Sequence, residues 1–223
     1  MLSTSSVALK SVSQLCFSGI RSSSAVSFST VSRCRNQIKV GDKRAKIDVN
    51  SFVATNAVVI GDVSLANASQ IWFGAVVKGE DNSVTIGHDS SIMDNAVVSS
   101  VKIGYENLPG SVTIGNNTQI GKGAILTGCN IGNQCSIGDK AIVLDGVEVA
   151  DGAIIADGSV VSQGTKVGPN EYWCGNPAKC DHKITDHEKD ETLFIGEHND
   201  LLRRKYNLEY LPYGTVWQKA DSE

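Results

Sequence analysis

Near the C-terminus, Cys174, Cys180, His182 and His187 spell C-x5-C-x-H-x4-H. Thiolates and imidazoles are the ligands zinc prefers, but this spacing fits none of its common structural sites. His182 and His187 also stand beside acids in a polar stretch. Solvated side chains are therefore expected here, with no metal. His88 directly follows Gly87; at a glycine corner it is expected in water and not as a general base. There is no Cys-x-x-Cys pair, no Ser-His-Asp order and no Walker-type loop.

The elements that must carry any site are legible by counting in sixes. Aliphatic residues fall at Ile114, Ile120 and Leu126, and after one five-residue step at Ile131, Ile137, Val143, Val149, Ile155, Val161 and Val167. Two positions before each stands a small or slim residue, among them Val112, Thr118, Ala124, Cys129, Cys135, Ala141, Ala153 and Ser159. No helical period makes that pattern, and six is the period of hexapeptide β-helices. Each hexad supplies one short strand and one corner, with two same-parity residues inward. Gly often follows the aliphatic residue, as at Gly115, Gly121, Gly132 and Gly138, and Gly or Asn there is expected to carry the positive φ of a tight corner. Three hexads close a triangular coil whose stacking excludes Phe and Trp from the inward set.

The cadence begins earlier with interruptions, at Ile60-Gly61, Ile86-Gly87, Ile92, Val98 and Ile103-Gly104, with Val58, Val84, Ser90, Ala96 and Val101 two before. Trp72 and Phe73 are too large for the coil and are expected on its outer face or at a subunit contact. YENLPG, residues 105–110, breaks the count and reads as a loop from one corner. The solenoid is assigned to residues 37–170, a connecting turn to 171–184 and a helix to 185–207. Phe194, Leu201 and Leu202, with Leu208 just past its end, predict one buried stripe. Acids at Asp186, Glu188, Asp190 and Glu191 and bases at Arg203, Arg204 and Lys205 suit its dipole. Residues 208–223 read as an extended tail whose aromatics suggest docking.

Only 6% of the residues are aromatic and 22 are Gly, as a narrow coil requires. Residues 1–36 hold 12 Ser, four bases (Lys10, Arg21, Arg33, Arg35) and no acid. That composition, without a continuous apolar core, predicts a mitochondrial transit peptide. The remaining chain carries 16 bases against 24 acids, which disfavours nucleic acid as a partner. No apolar run approaches the ~20 residues of a membrane span. Cys129 and Cys135 fall on small inward positions and behave as compact hydrophobes.

In combination, IWFGAVVKGEDNSVTIG with IMDN (residues 71–95), IGKGAILTGCNI (120–131) and WCGNPAK (173–179) resemble the γ-class carbonic anhydrases. The resemblance covers about residues 45–190. It implies an all-β solenoid, a left-handed parallel β-helix with a C-terminal helix packed on its flank. It also implies a trimer with zinc held by three His between subunits. In the family those His stand in motifs like D-N-x-x-V-H and I-G-H-x-A-I-L-H-G-C. Here Asp94-Asn95-Ala96-Val97-Val98 leads to Ser99, Ile120-Gly121 to Lys122, and Ala124-Ile125-Leu126 to Thr127. By the resemblance all three zinc-ligand positions are degenerate, and without metal no hydroxide forms near neutral pH. Lys78 and Glu80 replace a usual Arg and Asp, and Met93 a common Gln. Lys78, Glu80 and Asp94 are taken as polar interface residues, and by the resemblance Lys122 faces a neighbouring subunit, where it either points into solvent or pairs with a carboxylate such as Glu80 or Asp94.

The expectation is a non-catalytic subunit with no cofactor and no metal. The resemblance implies a heterotrimer with γ-carbonic anhydrase-like homologues on the matrix side of the inner membrane. Its partners would be membrane-arm subunits of respiratory complex I (NADH:ubiquinone oxidoreductase), as in relatives that lack the zinc ligands. The alternative is an enzyme of the hexapeptide-repeat class, either a carbonic anhydrase using partner-supplied zinc ligands or an acyltransferase. The scarcity of His speaks against an acyltransferase, and the predicted presequence against a cytoskeletal adaptor.

Overall fold

The computed structural model describes residues 37–48, 50–102 and 110–209. The predicted transit peptide, most of the YENLPG loop, Ile103 and residues 210–223 lie outside them. Parallel strands stack in three ladders, one per face of a coil that turns about seven times. The first face runs from Phe52–Val53 through Gln70–Ile71, Ser91–Ile92, Gln119–Ile120, Ser136–Ile137 and Ile154–Ile155 to Glu171–Gly175. The second carries Val97–Ser99, Ile125–Thr127, Ile142–Val143 and Val160–Val161; the third carries Val112–Ile114, Asn130–Ile131, Glu148–Val149 and Lys166–Val167. Two longer strands, Val58–Leu65 and Val76–Ile86, bend round the corner between these two faces.

In the regular part equivalent residues sit 18 apart, or three hexads. Earlier coils have offsets of 21 and 28, yet Gln70, Ser91 and Gln119 remain register partners. The extra residues are therefore held at corners. Inward aliphatics from Ile86 to Ile155 are buried, as are Ala124, Cys129, Cys135, Ala141 and Ala153. Each fully buried aliphatic contributes about 1.5–3 kcal/mol relative to exposure. At the start the expected parity is off by one: Ala57 and Val59 point inward, while Ile60 is only half-buried and pairs with Lys78 on the outward row. Trp72 does lie outside the coil, but the chain's own helix covers it. Its ring stands 5.4 Å from Phe52 and 5.5 Å from Tyr206, and Phe73 is 5.9 Å from Tyr206.

Gly61 carries the expected positive φ, but glycines after the aliphatic residues of the regular coils do a different job. Gly121 and Gly138 do not take positive φ; that backbone falls two residues later, at Gly123 and Lys140. What Gly121 needs is room, because a Cβ there would stand 2.6 Å from the Asp139 nitrogen of the next coil. The residues two past the inward aliphatic form a ladder up the corner. Asn116 Oδ1 accepts from the His88 N–H at 2.8 Å, Asn133 Oδ1 from Asn116 N–H at 2.9 Å and Asp151 Oδ1 from Asn133 N–H at 2.7 Å. Corner N–H groups that no strand would pair are thereby satisfied.

Residues 171–184 form a hairpin rather than a plain turn: Glu171–Gly175 extends the first face and Ala178–Lys183 returns antiparallel to it. The helix Asp186–Glu209 then runs back along the first face. Of the expected apolar stripe only Leu202 packs against the core, while Phe194 and Leu201 are 70% and 63% exposed. Gly196, Asn199, Arg203 and Tyr206, spaced three or four apart, make the seat together with Leu202. Asn199 Nδ2 donates to Gln119 Oε1 at 2.9 Å, Arg203 Nη1 donates to the Asn50 carbonyl at 3.0 Å, and Gly196 leaves room for the Gln119 amide. A polar stripe fits because the outward row beneath it, Gln70, Ser91 and Gln119, is polar and buried. The helix reaches Glu209, so Arg203, Arg204 and Lys205 precede its last turn, which holds no base. Arg203 and Arg204 instead pair with Asp200.

The hairpin is tied to the helix start by charge. Glu188 accepts from the Thr185 N–H and hydroxyl, both at 2.7 Å, and meets His182 Nε2 at 2.9 Å; the His182 ring stacks on Tyr172. The hydrogen bond to Glu188, then that to Asp181, raises the His182 pKa, while the Thr185 and His182 contacts lower Glu188 to about 2.

Two predictions follow from this packing. Gly121→Ala should destabilise the fold by about 1–3 kcal/mol or more through overpacking. Gly158→Ala, which has open space but positive φ, should cost only about 1 kcal/mol. Denaturant midpoints check the order, and equal costs would show that coil spacing does not select Gly121. The second concerns pH. The His182 contribution is full below its ordinary pKa near 6.5 and is lost as pH rises through the raised folded value. The Glu188 contribution is full above its ordinary 4.5 and is lost as pH falls toward about 2. Thermal unfolding across pH should show the alkaline decline in the native chain and its loss in His182→Ala.

Candidate functional site

Lys78, Ser99 and Thr127 occupy one outward row of the second face, as register partners on successive coils. Neighbours in such a row stand roughly 4.8 Å apart, close enough for two side chains to hold one ion. All three are half-buried. The Ser99 hydroxyl donates to the Ser100 carbonyl at 3.2 Å and the Thr127 hydroxyl to the Val143 carbonyl at 3.3 Å. Lys78 forms no ion pair among the described residues.

Lys122 is exposed and sits at the corner where the first face turns into the second, whereas Thr127 ends the second face. The width of that face separates them, so one chain cannot bring Lys122 to Ser99 and Thr127. The Lys122 N–H donates to Asp139 Oδ1 at 2.7 Å, and within the described residues its side chain pairs with no acid. Asp94 Oδ1 accepts from the Phe73 N–H at 3.1 Å and its carbonyl from Gly123 N–H at 2.8 Å, so Asp94 braces two corners. Glu80 is exposed, and its carbonyl accepts from Lys43 Nζ at 3.3 Å. A tetrahedral zinc site takes imidazole, thiolate or carboxylate. Two neutral hydroxyls and an ammonium at Ser99, Thr127 and Lys122 do not fit that ion.

The other candidates do not converge. In the hairpin Cys180 lies opposite Trp173 and Cys174 opposite Lys179, so strand alternation sends the two thiols to opposite sides. His182 is held by Asp181 and Glu188, and His187 lies 3.4 Å from Glu191. His88 is exposed. Burial pushes the inward thiols of Cys129 and Cys135 up to about 12 and about 11, which keeps them protonated and unreactive. The sequence reading missed a groove of about 590 Å³ between the first face and the helix, with Gln70, Gln119 and Ile154 on one wall and Leu193, Leu201 and Arg204 on the other. The available signal was Gln at two equivalent outward positions of the repeat.

Comparison with known proteins agrees with this architecture. Residues 128–163 match the family described as bacterial transferase hexapeptide (six repeats). The chain is 47% identical over 162 residues to gamma carbonic anhydrase 3, mitochondrial, of Arabidopsis thaliana, a match covering 71% of this chain and 62% of that protein. It is 42% identical over 187 residues to gamma carbonic anhydrase-like 1, mitochondrial, of the same plant, covering 84% of this chain and 74% of that protein. A solved structure, a hexapeptide transferase family protein from Anaplasma phagocytophilum, matches with a TM-score of 0.72 at 31% identity, over 77% of this chain and 99% of that one. The chain spans less than two thirds of the length of the plant gamma carbonic anhydrases 1, 2 and 3. By its coils, its corner chemistry and its identity to both plant groups, the chain belongs to the γ-carbonic anhydrase family.

Proposed function

We propose that this chain is a non-catalytic, γ-carbonic anhydrase-like structural subunit of mitochondria. It assembles in a heterotrimer with related chains on the matrix side of the respiratory complex I membrane arm. One observation carries the reading: Ser99 and Thr127 stand in register on an intact solenoid, and each spends its hydroxyl on a main-chain carbonyl. The scaffold is kept while the groups that would grip a metal are not. Relatives named mitochondrial and carbonic anhydrase-like support the location and the class, as does the Ser- and Arg-bearing N-terminal segment. Among the described residues no helix is long and apolar enough to cross a membrane, in keeping with a peripheral subunit.

The separation of Lys122 from Ser99 and Thr127 supports the oligomer. The three positions meet only across a boundary between chains, where the Lys122 ammonium replaces part of a metal's charge beside a neighbour's carboxylate. In a mixed trimer only the boundary between two ligand-bearing partners holds zinc.

Purification from mitochondria, with size and metal analysis, tests this. Co-migration with a large respiratory membrane assembly, without zinc in this chain's own site, is expected. A lone zinc-containing homotrimer that hydrates carbon dioxide in a chelator-sensitive way would falsify the reading. A constructive check is the triple variant Ser99→His/Lys122→His/Thr127→His expressed alone. It should take up about one zinc per chain, against essentially none for the native sequence. Failure to gain zinc would mean that these positions do not form the metal centre.

A further inference from the structure

We propose that the groove between the helix and the first face is the seat of the chain's own C-terminal segment, residues 210–223. The groove runs beside the helix from Gln70 to Ile154. Gln70 is 2% exposed, lines this groove, and its Oε1 has no hydrogen-bond partner. A buried acceptor of that kind calls for a donor, and an extended peptide offers a main-chain N–H at every residue except proline. On the other wall Leu193 and Leu201 are 54% and 63% exposed, an apolar surface that a peptide bearing Leu211, Tyr213, Val216 and Trp217 would cover.

The chain path brings this segment to the groove. Arg203 bonds to the Asn50 carbonyl, and Tyr206 packs on Phe52 and Trp72. The end of the helix therefore stands over the first coils, beside Gln70, and the segment departs from Glu209 at the mouth of the groove. Gln70 and Ile154 are four rungs apart, or about 19 Å. Residues 210–223 span up to about 46 Å when extended, enough to turn and run the whole groove. Pro212 prevents the helix from simply continuing. Tethering also favours this occupant over a second copy, because a short linker holds it at an effective concentration in the millimolar range. The proposal does not depend on which subunits share the trimer.

The test places a photo-crosslinker in the full chain as Leu193→p-benzoylphenylalanine, using a mixture of light and heavy isotope-labelled chains. Position 193 is far along the helix from Glu209. Bonds to residues 210–219, joining light to light and heavy to heavy, are expected. Light-to-heavy bonds would assign the groove to a second copy, bonds to another protein to a separate partner, and no bond to that peptide would leave the segment elsewhere; each overturns the proposal. As a second readout, chymotryptic cleavage at Trp217 should accelerate roughly tenfold in Leu201→Asp, as release of a docked segment requires. Equal cleavage in the two chains also overturns it.

Discussion

Hydrogen bonds between successive coils govern nearly everything else in this molecule. They hold neighbouring backbones at strand spacing on every face, through pairs such as Gln119 N–H to the Cys135 carbonyl at 2.9 Å and Gly138 N–H to the Ile155 carbonyl at 2.8 Å. At that spacing the interior has room for aliphatic and small side chains only, so Ala, Cys and Ser share the inward rows with Ile and Val. The same constraint appears at the corners, where a Cβ on Gly121 would collide with the next coil. It also explains where the chain tolerates extra length. Insertions before Ser91 and Gln119 leave the ladder in register because they are held outside it.

Outward rows are under a looser constraint, and there the chemistry varies. A side chain on the second face changes no coil spacing, so Lys78, Ser99 and Thr127 sit in register without disturbing the fold. A family built on this scaffold can therefore lose metal ligands and keep its assembly surface, one instance of function residing in sites grafted on folds. The helix obeys the same logic. It seats on a polar outward row, so its contacts include an amide pair, a glycine and an arginine beside Leu202 and Tyr206, while Leu193, Ile195 and Leu201 are exposed.

The six-residue period made the solenoid, its inward rows and the inward cysteines legible, because parity and coil spacing act locally. The resemblance of IMDN and IGKGAILTGC to a known family directed attention to Ser99, Lys122 and Thr127. Periodicity failed where the strand pattern shifts by one, at Ile60, and where packing depends on the partner surface, as for Phe194 and Leu201. Corner glycines such as Gly123, Gly152 and Gly158 do carry positive φ, but at Gly121 and Gly138, which directly follow an inward aliphatic residue, glycine is needed for space. The atoms that crowd Gly121 belong to Gly138 and Asp139 on the next coil, which no local stretch of sequence places there.

The amino-acid order alone determined that the chain coils in sixes, what fills the coil and which residue types stand at the positions of interest, since those follow from alternation and steric size within a few residues. Only the tertiary structure decided that Ser99 lies against Thr127 while Lys122 stands a face away, that the hairpin carries the helix back along a polar wall, and that a groove opens beside it. These depend on how far-separated coils come into register and on which surface the helix meets, and neither is encoded in any local stretch.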